Sequence, residues 1–216
     1  MAENPMNNDV NATFNLGGNM YQLTTCTFNK IPSEEWIEGC GVDIFFCREV
    51  NLAQLNNFNL YEPRFGTRFQ GHTTAVLVKK NKFRQIEVLP FEDDLAWMNW
   101  RFCPIKLDGM IVAAWDGRSR LQGGHMPKEK KEQCLDQLRR YAMSLTEKHN
   151  LPVIIGGAFR VAQINYDDLP DNYICKRIEG GVNNDYFYVI FPKVRIGSMV
   201  NDNRRMFELV EAPAQG

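Results

Sequence analysis

Residues 151–160 have the sequence Leu-Pro-Val-Ile-Ile-Gly-Gly-Ala-Phe-Arg, in which a short apolar run ends in two glycines. Such a run, closed by a glycine break, predicts a buried β-strand. In the preceding residues 128–149, apolar side chains recur with helical spacing at Leu135, Leu138, Ala142 and Leu145. Charged and amide side chains fill the opposite face, which predicts one long amphipathic helix. The best-defined unit of the chain is therefore a helix that leads directly into a buried strand.

Further strands are predicted on both sides of this unit. They cover residues 20–28, 42–47, 109–115, 186–191 and 207–210. Residues 34–40 predict a short helix, and residues 73–79 and 84–89 predict a hairpin around a turn at residues 80–82. Because strands, hairpins and helices are intermixed, the pattern predicts an α+β protein with sheets layered against helices.

Four further motifs stand in order around residues 151–160. They are Thr27-Phe28-Asn29, Asp-Ile-Phe-Phe-Cys-Arg-Glu-Val at residues 43–50, Asn-Asp-Tyr-Phe-Tyr-Val at residues 184–189, and Asn201-Asp202-Asn203. In sequence order, the five segments resemble the Thr-x-Asn, Asp-Ile-x-x-x-Gln-Glu-Val, Gly-Asp-Phe-Asn, Asp-Tyr-Ile-Phe-Val and Ser-Asp-His motifs of the endonuclease/exonuclease/phosphatase superfamily. The resemblance extends over nearly the whole chain, and the shared order makes it more specific than any single motif.

This resemblance implies the DNase-like fold, a four-layer α/β sandwich in which two packed mixed β-sheets are flanked by helices. We expect one such domain over residues 19–212, because no low-complexity tract or block of charge divides the chain. Residues 1–18 are polar and rich in asparagine, so we expect a flexible tail there. A short second tail is expected at residues 213–216.

The superfamily cleaves phosphate esters with a divalent cation, usually Mg²⁺, held by a carboxylate and an asparagine at the ends of neighbouring strands. An activated water attacks the phosphorus, assisted by histidine, aspartate or asparagine side chains. The resemblance places three of these positions at Asn29, Glu49 and Asp202. Asp185 matches a strand position that is mainly structural.

Other catalytic positions carry different residues in this chain. The aspartate and asparagine of Gly-Asp-Phe-Asn correspond to Ala158 and Arg160, and two histidines correspond to Trp115 and Asn203. Loss of a general base or of an anion-stabilising group typically costs ~10² to 10⁴ in rate. Arg160 would also set a fixed cation close to the metal position. The sequence therefore predicts a degenerate site, a pseudoenzyme that needs no cofactor and binds a partner, most simply another protein.

A sharper form of this hypothesis proposes an anion pocket without metal. Arginine presents a planar fork that suits phosphate and carboxylate groups. The candidates for binding a phosphate-bearing ligand, a nucleic acid or an acidic partner are Arg48, Arg64, Arg68, Arg160 and Arg204. The competing interpretation is that these arginines only form a solvated face.

The alternative hypothesis retains catalysis. A residual Mg²⁺-dependent phosphodiesterase, nuclease or phosphatase would use Glu49 and Asn29 for the metal, together with Asp202. A substitute base would then come from one of three residues, His72, His125 or Asp116.

Composition restricts these hypotheses further. Lys and Arg number 25 against 26 Asp and Glu, so the net charge of −1 argues against bulk electrostatic attraction to nucleic acid or membrane. No apolar run reaches the roughly 20 residues of a membrane helix, so we expect no membrane association and an intracellular location, cytoplasmic or nuclear. The six cysteines contain no Cys-x-x-Cys pair and are predicted to be reduced. The aromatic segment at residues 97–102 is either a binding platform or part of the core.

Overall fold

The computed structural model describes residues 11–16, 18–27, 34–51, 58–66, 72–90, 101–117, 127–159, 173–179, 185–192, 201–202 and 206–209. The described elements are β1 Asn11–Leu16, β2 Asn19–Thr27, α1 Glu34–Gly39, β3 Ile44–Asn51, β4 Tyr61–Phe65, β5 His72–Lys79, β6 Ile86–Val88, β7 Phe102–Leu107, β8 Met110–Asp116, α2 Lys128–His149, β9 Val153–Ala158, β10 Tyr173–Glu179, β11 Asp185–Pro192, β12 Asn201–Asp202 and β13 Met206–Leu209. The long helix has the predicted limits, and it ends at Asn150 in the left-handed conformation, at φ 52° and ψ 42°.

These strands form two mixed sheets. Sheet A has the order β12-β13-β1-β2-β3-β5-β4, and sheet B has the order β10-β11-β9-β8-β7-β6. The pairs β1–β13, β2–β3 and β8–β9 are parallel, and the other pairs are antiparallel. The predicted combination of two mixed sheets is confirmed.

The sheets pack face to face over a shared apolar layer, the interlayer core. Its members include Phe14, Leu23, Phe46, Val76, Ile105, Val112, Ile154 and Phe187. Phe46 of sheet A meets Phe187 of sheet B edge to face, with ring centroids 5.1 Å apart. Aromatic pairs in this arrangement add to the stabilisation that burial alone provides.

Helices cover the outer faces of both sheets. The apolar face of α2, with Leu135, Leu138, Ala142 and Leu145, packs on sheet B. On sheet A, Ile37 of α1 is fully buried with Phe45, Val50 and Tyr61. The layer order is therefore α1, sheet A, sheet B and α2, which is the predicted four-layer sandwich.

Two details of the prediction are wrong. The predicted polar tail includes residues that form β1, whose Ala12 and Phe14 are buried between β2 and β13. The predicted hairpin is split between the sheets, because β5 pairs with β3 and β4 whereas β6 pairs with β7.

Contacts distant in sequence explain the split hairpin. Phe83 enters the interlayer core and stacks on Tyr21, with ring centroids 5.2 Å apart. The backbone N–H groups of Arg84 and Gln85 then donate to the Asp108 carboxylate at 2.7 and 2.9 Å. These contacts draw the chain across from sheet A to sheet B after its turn.

Candidate functional site at the carboxyl edge

The parallel strands of the two sheets run in the same direction. Leu16 pairs with Asn19 at the start of β2, and a methyl group added at Gly109, just before β8, would lie 3.1 Å from Leu16 Cδ2. The starts of β2 and β8 are therefore adjacent. Since β3 is parallel to β2 and β9 to β8, the ends of all four strands lie along one side of the sandwich. We call this side the carboxyl edge.

The carboxyl edge collects several of the positions that the motifs single out. Arg48 and Glu49 lie near the end of β3, and Asp116 and Ala158 are direct partners at the ends of β8 and β9. Asp185 begins the antiparallel strand β11 and pairs with Ala158. The alternation along β8 and β9 turns Asp116 and Ala158 towards the space between the sheets.

A β-bulge shapes β3 at this edge. Its pairing with β5 shifts by one residue between Cys47 and Val50. Such an insertion breaks the strict alternation of side chains, and Cys47 and Val50 both pack in the outer cluster of sheet A. Bulges commonly occur beside functional sites because they redirect a side chain.

Two arginines are buried at the carboxyl edge. Arg48 is 3% exposed, and Arg101, which immediately precedes β7, is 2% exposed. Nη1 of Arg101 donates to the carbonyl oxygen of Asp116 at 3.4 Å, and the Asp116 N–H donates back to the Arg101 carbonyl oxygen at 2.9 Å. Burial lowers the pKa of the Arg101 guanidinium, and the negative charge of Asp116 opposes that shift. Arg48 is thus a buried residue and not part of a solvated face.

Buried threonine hydroxyl groups also lie near the carboxyl edge. Thr25 of β2 and Thr74 of β5 are buried, and each is close to the end of its strand at this edge. Within the described residues, Oγ1 of Thr74 has no hydrogen-bond partner. The motif comparison did not identify Arg101 or Thr74, because no single local pattern marks them.

Core packing accounts for the two replaced positions that the structure describes. Trp115 lies on the α2 side of sheet B, 2% exposed, and meets Phe102 at a centroid distance of 6.2 Å. Phe102 also contacts Tyr141 of α2, so this member of the aromatic segment belongs to the core. Ala158 is completely buried. Neither position carries a group that exchanges protons.

Gly157 makes this close packing possible. It has φ +150°, and a methyl group at its Cα would lie 2.0 Å from the carbonyl oxygen of Trp115. The strands β8 and β9 can therefore approach each other at the carboxyl edge only if this position is glycine.

The remaining candidates divide into two groups. Arg64 of β4 forms an ion pair with Glu62 and donates through Nη1 to the carbonyl oxygen of Pro63 at 3.2 Å. The other candidates lie outside the described residues, either entirely or in their side chains. They are Asn29, Arg68, His125, Arg160, Asn203 and Arg204 entirely, and Glu49, His72 and Asp202 in their side chains.

The described donors alone do not form a site for a divalent cation at the carboxyl edge, and Asn29 and the side chains of Glu49 and Asp202 lie outside the described residues. Mg²⁺ requires oxygen ligands, and the methyl group of Ala158 supplies none. The one described carboxylate there belongs to Asp116, whose backbone carbonyl oxygen accepts a hydrogen bond from the Arg101 guanidinium. Across the described part of the chain, no group of three or more His, Cys, Asp or Glu residues is arranged to hold a metal ion.

No sequence-family model matches the chain, and no characterised protein matches it in sequence. Its structure is similar to that of D. rerio TDP2 humanized by 14 mutations, at 12% identity and a TM-score of 0.51, covering 82% of this chain and 88% of the other. An endonuclease/exonuclease/phosphatase family protein from Bacteroides thetaiotaomicron is 13% identical, with 84% and 81% coverage and a TM-score of 0.49. An AP endonuclease from Archaeoglobus fulgidus is 19% identical, with 68% and 60% coverage and a TM-score of 0.48.

No described helix is both long enough and apolar enough to cross a lipid bilayer. The longest, α2, carries charged side chains along its outer face.

Proposed function

We propose that this chain, which has the fold of the endonuclease/exonuclease/phosphatase superfamily, is a non-catalytic binding module that engages an anionic group of its partner at the carboxyl edge. The proposal rests on the charge of the buried side chains at the carboxyl edge. Among the described residues, the side chains of Arg48 and Arg101 are both buried near this edge, and the charge of Asp116 acts on the Arg101 guanidinium. The preferred partner is a protein that presents a phosphate group.

Buried guanidinium groups near this edge favour an anion over a metal ion. Charge buried in a protein interior requires compensation, because low polarity strengthens every uncompensated interaction. A phosphate compensates two guanidinium groups, and arginine binds it through two parallel hydrogen bonds. A divalent cation at the same place would add to the repulsion.

The replaced side chains support the absence of catalysis. Ala158 stands at the strand end where the superfamily has an aspartate, and a methyl group cannot orient water or accept a proton. Loss of such a group typically lowers the rate by ~10² to 10⁴. We infer that the domain keeps the shape of a phosphate-ester hydrolase and uses it for recognition.

A turnover assay tests the non-catalytic part. The purified chain is incubated with a chromogenic phosphodiester and with a chromogenic phosphomonoester, in Mg²⁺ and in Mn²⁺. We expect rates equal to those of buffer, and the same result for Glu49→Ala. Turnover that disappears both with a chelator and in Glu49→Ala would instead establish the residual hydrolase.

A binding titration tests the recognition part. Phosphoserine peptide, inorganic phosphate and inositol hexakisphosphate serve as probes, without metal, in calorimetry or anisotropy. We expect saturable binding that weakens as salt is raised, because ionic contacts are screened. Arg48→Met should weaken binding at least tenfold. Absence of saturable binding at millimolar probe removes the proposal.

The matched control is Arg84→Met. Arg84 is exposed and is held by Asp108 near the start of β8, at the side of the sandwich opposite the carboxyl edge. The variant removes the same charge and should bind as the wild type does. Circular dichroism of both variants separates loss of binding from loss of folding.

A further inference from the structure

Two cysteines lie side by side on the parallel strands β2 and β3. Cys26 and Cys47 are direct partners in the sheet register, and both are buried, at 4% and 0% exposure. Their Sγ atoms are 3.5 Å apart. Sγ of Cys47 also lies 3.7 Å from the carbonyl oxygen of Phe45, to which its S–H can donate. The Cys47 sulfur is then an acceptor for the thiol of Cys26.

The arrangement satisfies the first requirement for a disulfide. Neighbouring strands lie about 4.7–4.9 Å apart, within the roughly 4.4–6.8 Å that disulfides span between Cα atoms. The two sulfurs would have to approach by about 1.5 Å to reach a bond length near 2.05 Å. Rotation about both Cα–Cβ bonds, with a small shift of the strands, supplies this approach.

A metal site explains the pair less well. Zinc in structural sites takes four ligands, and the described residues contain no cluster of three potential ligands. The cluster around the pair is mostly apolar, with Phe45, Val50, Ala75 and Leu77, and Cys40, which packs against it, completes no group of three ligands within the described residues. We propose that Cys26 and Cys47 are a reversible redox pair that forms a disulfide between β2 and β3.

The reaction balances with a peroxide as the oxidant. One thiolate attacks a peroxide oxygen, so that an S–O bond forms, the O–O bond breaks and hydroxide leaves. The second thiol then attacks this sulfur, so that the S–S bond forms, the S–O bond breaks and water leaves. In total, two thiols and one hydrogen peroxide give one disulfide and two waters. Two equivalents of glutathione return the pair to thiols by exchange.

The bond would join parts of the chain that are distant in sequence. The two cysteines are 21 positions apart, so the disulfide closes a loop and restricts the unfolded chain. Direct partners on adjacent strands have little freedom to adopt the preferred torsion, and strained disulfides are reduced readily. Cys47 precedes Arg48, so the bond forms in the segment that reaches the carboxyl edge.

Mapping of the oxidised full chain tests the proposal. The protein is treated with hydrogen peroxide, alkylated under denaturing conditions, digested without reductant and analysed by mass spectrometry. We expect a cross-linked peptide pair that contains Cys26 and Cys47, two hydrogens lighter than the sum of the thiol forms. Glutathione should release it, and the oxidised protein should unfold several degrees higher than the reduced protein.

Variants assign the bond. Cys26→Ser and Cys47→Ser should each abolish the cross-link, whereas Cys40→Ser and Cys134→Ser should retain it. The wild-type map is sufficient if the serine variants fail to fold. Alkylation of both Cys26 and Cys47 after oxidation, a cross-link that uses another cysteine, or conversion of either to sulfonic acid would overturn the proposal.

Discussion

Phe46 of sheet A lies directly across the interlayer core from Gly156 of sheet B. A methyl group at Gly156 would come within 2.8 Å of Cγ of Phe46 and within 2.5 Å of Cε1 of Phe187. Two residues further along each strand, towards the carboxyl edge, Arg48 follows Phe46 and Ala158 follows Gly156. This contact therefore fixes the spacing of the sheets near the carboxyl edge.

Gly156→Ala should destabilise the protein by about 2–3 kcal/mol, because the added methyl overpacks a core bounded by two rings. Urea unfolding at neutral pH measures the change. Gly39→Ala is the control, since no heavy atom lies within 4 Å of a methyl group there. Equal stability of Gly156→Ala and the wild type would show that the sheets separate more easily than this contact implies.

Ala158→Asp should abolish anion binding at the carboxyl edge. The new carboxylate would lie beside that of Asp116 and would repel a phosphate group that approaches this edge. We expect at least a tenfold loss of affinity in the binding titration. Ala158→Asn is the matched control, because it has nearly the same shape without the charge. Equal loss in both variants would indicate a steric effect.

The same pair of variants has a pH signature. An aspartate at position 158 would be completely buried and would lie beside the carboxylate of Asp116, its direct partner in the sheet. Burial and the like charge both raise its folded pKa above its unfolded value, so the variant loses stability as pH rises above the unfolded pKa. The Asp variant should be about 1 kcal/mol less stable than the Asn variant near pH 7 and equal to it near pH 2. Urea unfolding at both pH values measures the difference.

Sequence was sufficient for elements defined by local patterns. The spacing of Leu135, Leu138, Ala142 and Leu145 predicts α2, and the apolar runs predict β8, β9 and β11. The sequence did not predict segments whose position depends on partners that are distant along the chain. Asp108 holds Arg84 and Gln85 beside sheet B, and Phe83 stacks on Tyr21 of sheet A. Neither partner lies near this segment in sequence. The strand β1 has only Ala12 and Phe14 as buried apolar residues, too weak a signal beside many asparagines.

For the candidate site, motif order placed Glu49, Asp116 and Ala158 on strand ends that the structure brings to one edge. Arg101 was not predicted because its burial depends on the pairing of β7 with β8. Thr74 was not predicted because no local sequence pattern distinguishes a functional threonine in a strand from a structural one. Their burial near one edge depends on the relative position of two sheets, which the periodicity of a single strand cannot predict.

Cys103 should resist alkylation in the folded protein. Burial raises the pKa of its thiol to about 12, and the nearby charge of Arg64 only partly offsets this. The thiolate is the reactive form, and at about pH 8.5 only on the order of 10⁻³ to 10⁻⁴ of Cys103 is present as thiolate. Cys134, half-buried on α2, is the internal comparison, and both should react fully in urea. Equal rates for both without denaturant would contradict the placement of Cys103.

Tyr61 should make the protein sensitive to alkaline pH. Its hydroxyl donates to the carbonyl oxygen of Val42 at 2.6 Å, and burial, with a smaller effect of Asp43, raises its pKa to about 12. The unfolded chain loses this proton near pH 10, while the folded chain keeps it. The unfolded state then binds fewer protons, so stability falls as pH rises from about 10 to 12.

Tyr61→Phe separates this effect from other alkaline changes. Near pH 7 the variant should be about 1 kcal/mol less stable than the wild type, because the Val42 carbonyl loses its donor. As pH rises above about 10, the wild type loses the stabilisation linked to the phenol and the variant does not, so the two unfolding free energies converge. Urea unfolding of both proteins in steps between these pH values measures the gap. A gap that stays constant throughout would mean that the phenol ionises at its ordinary pKa, and hence that the Tyr61 hydroxyl is open to water.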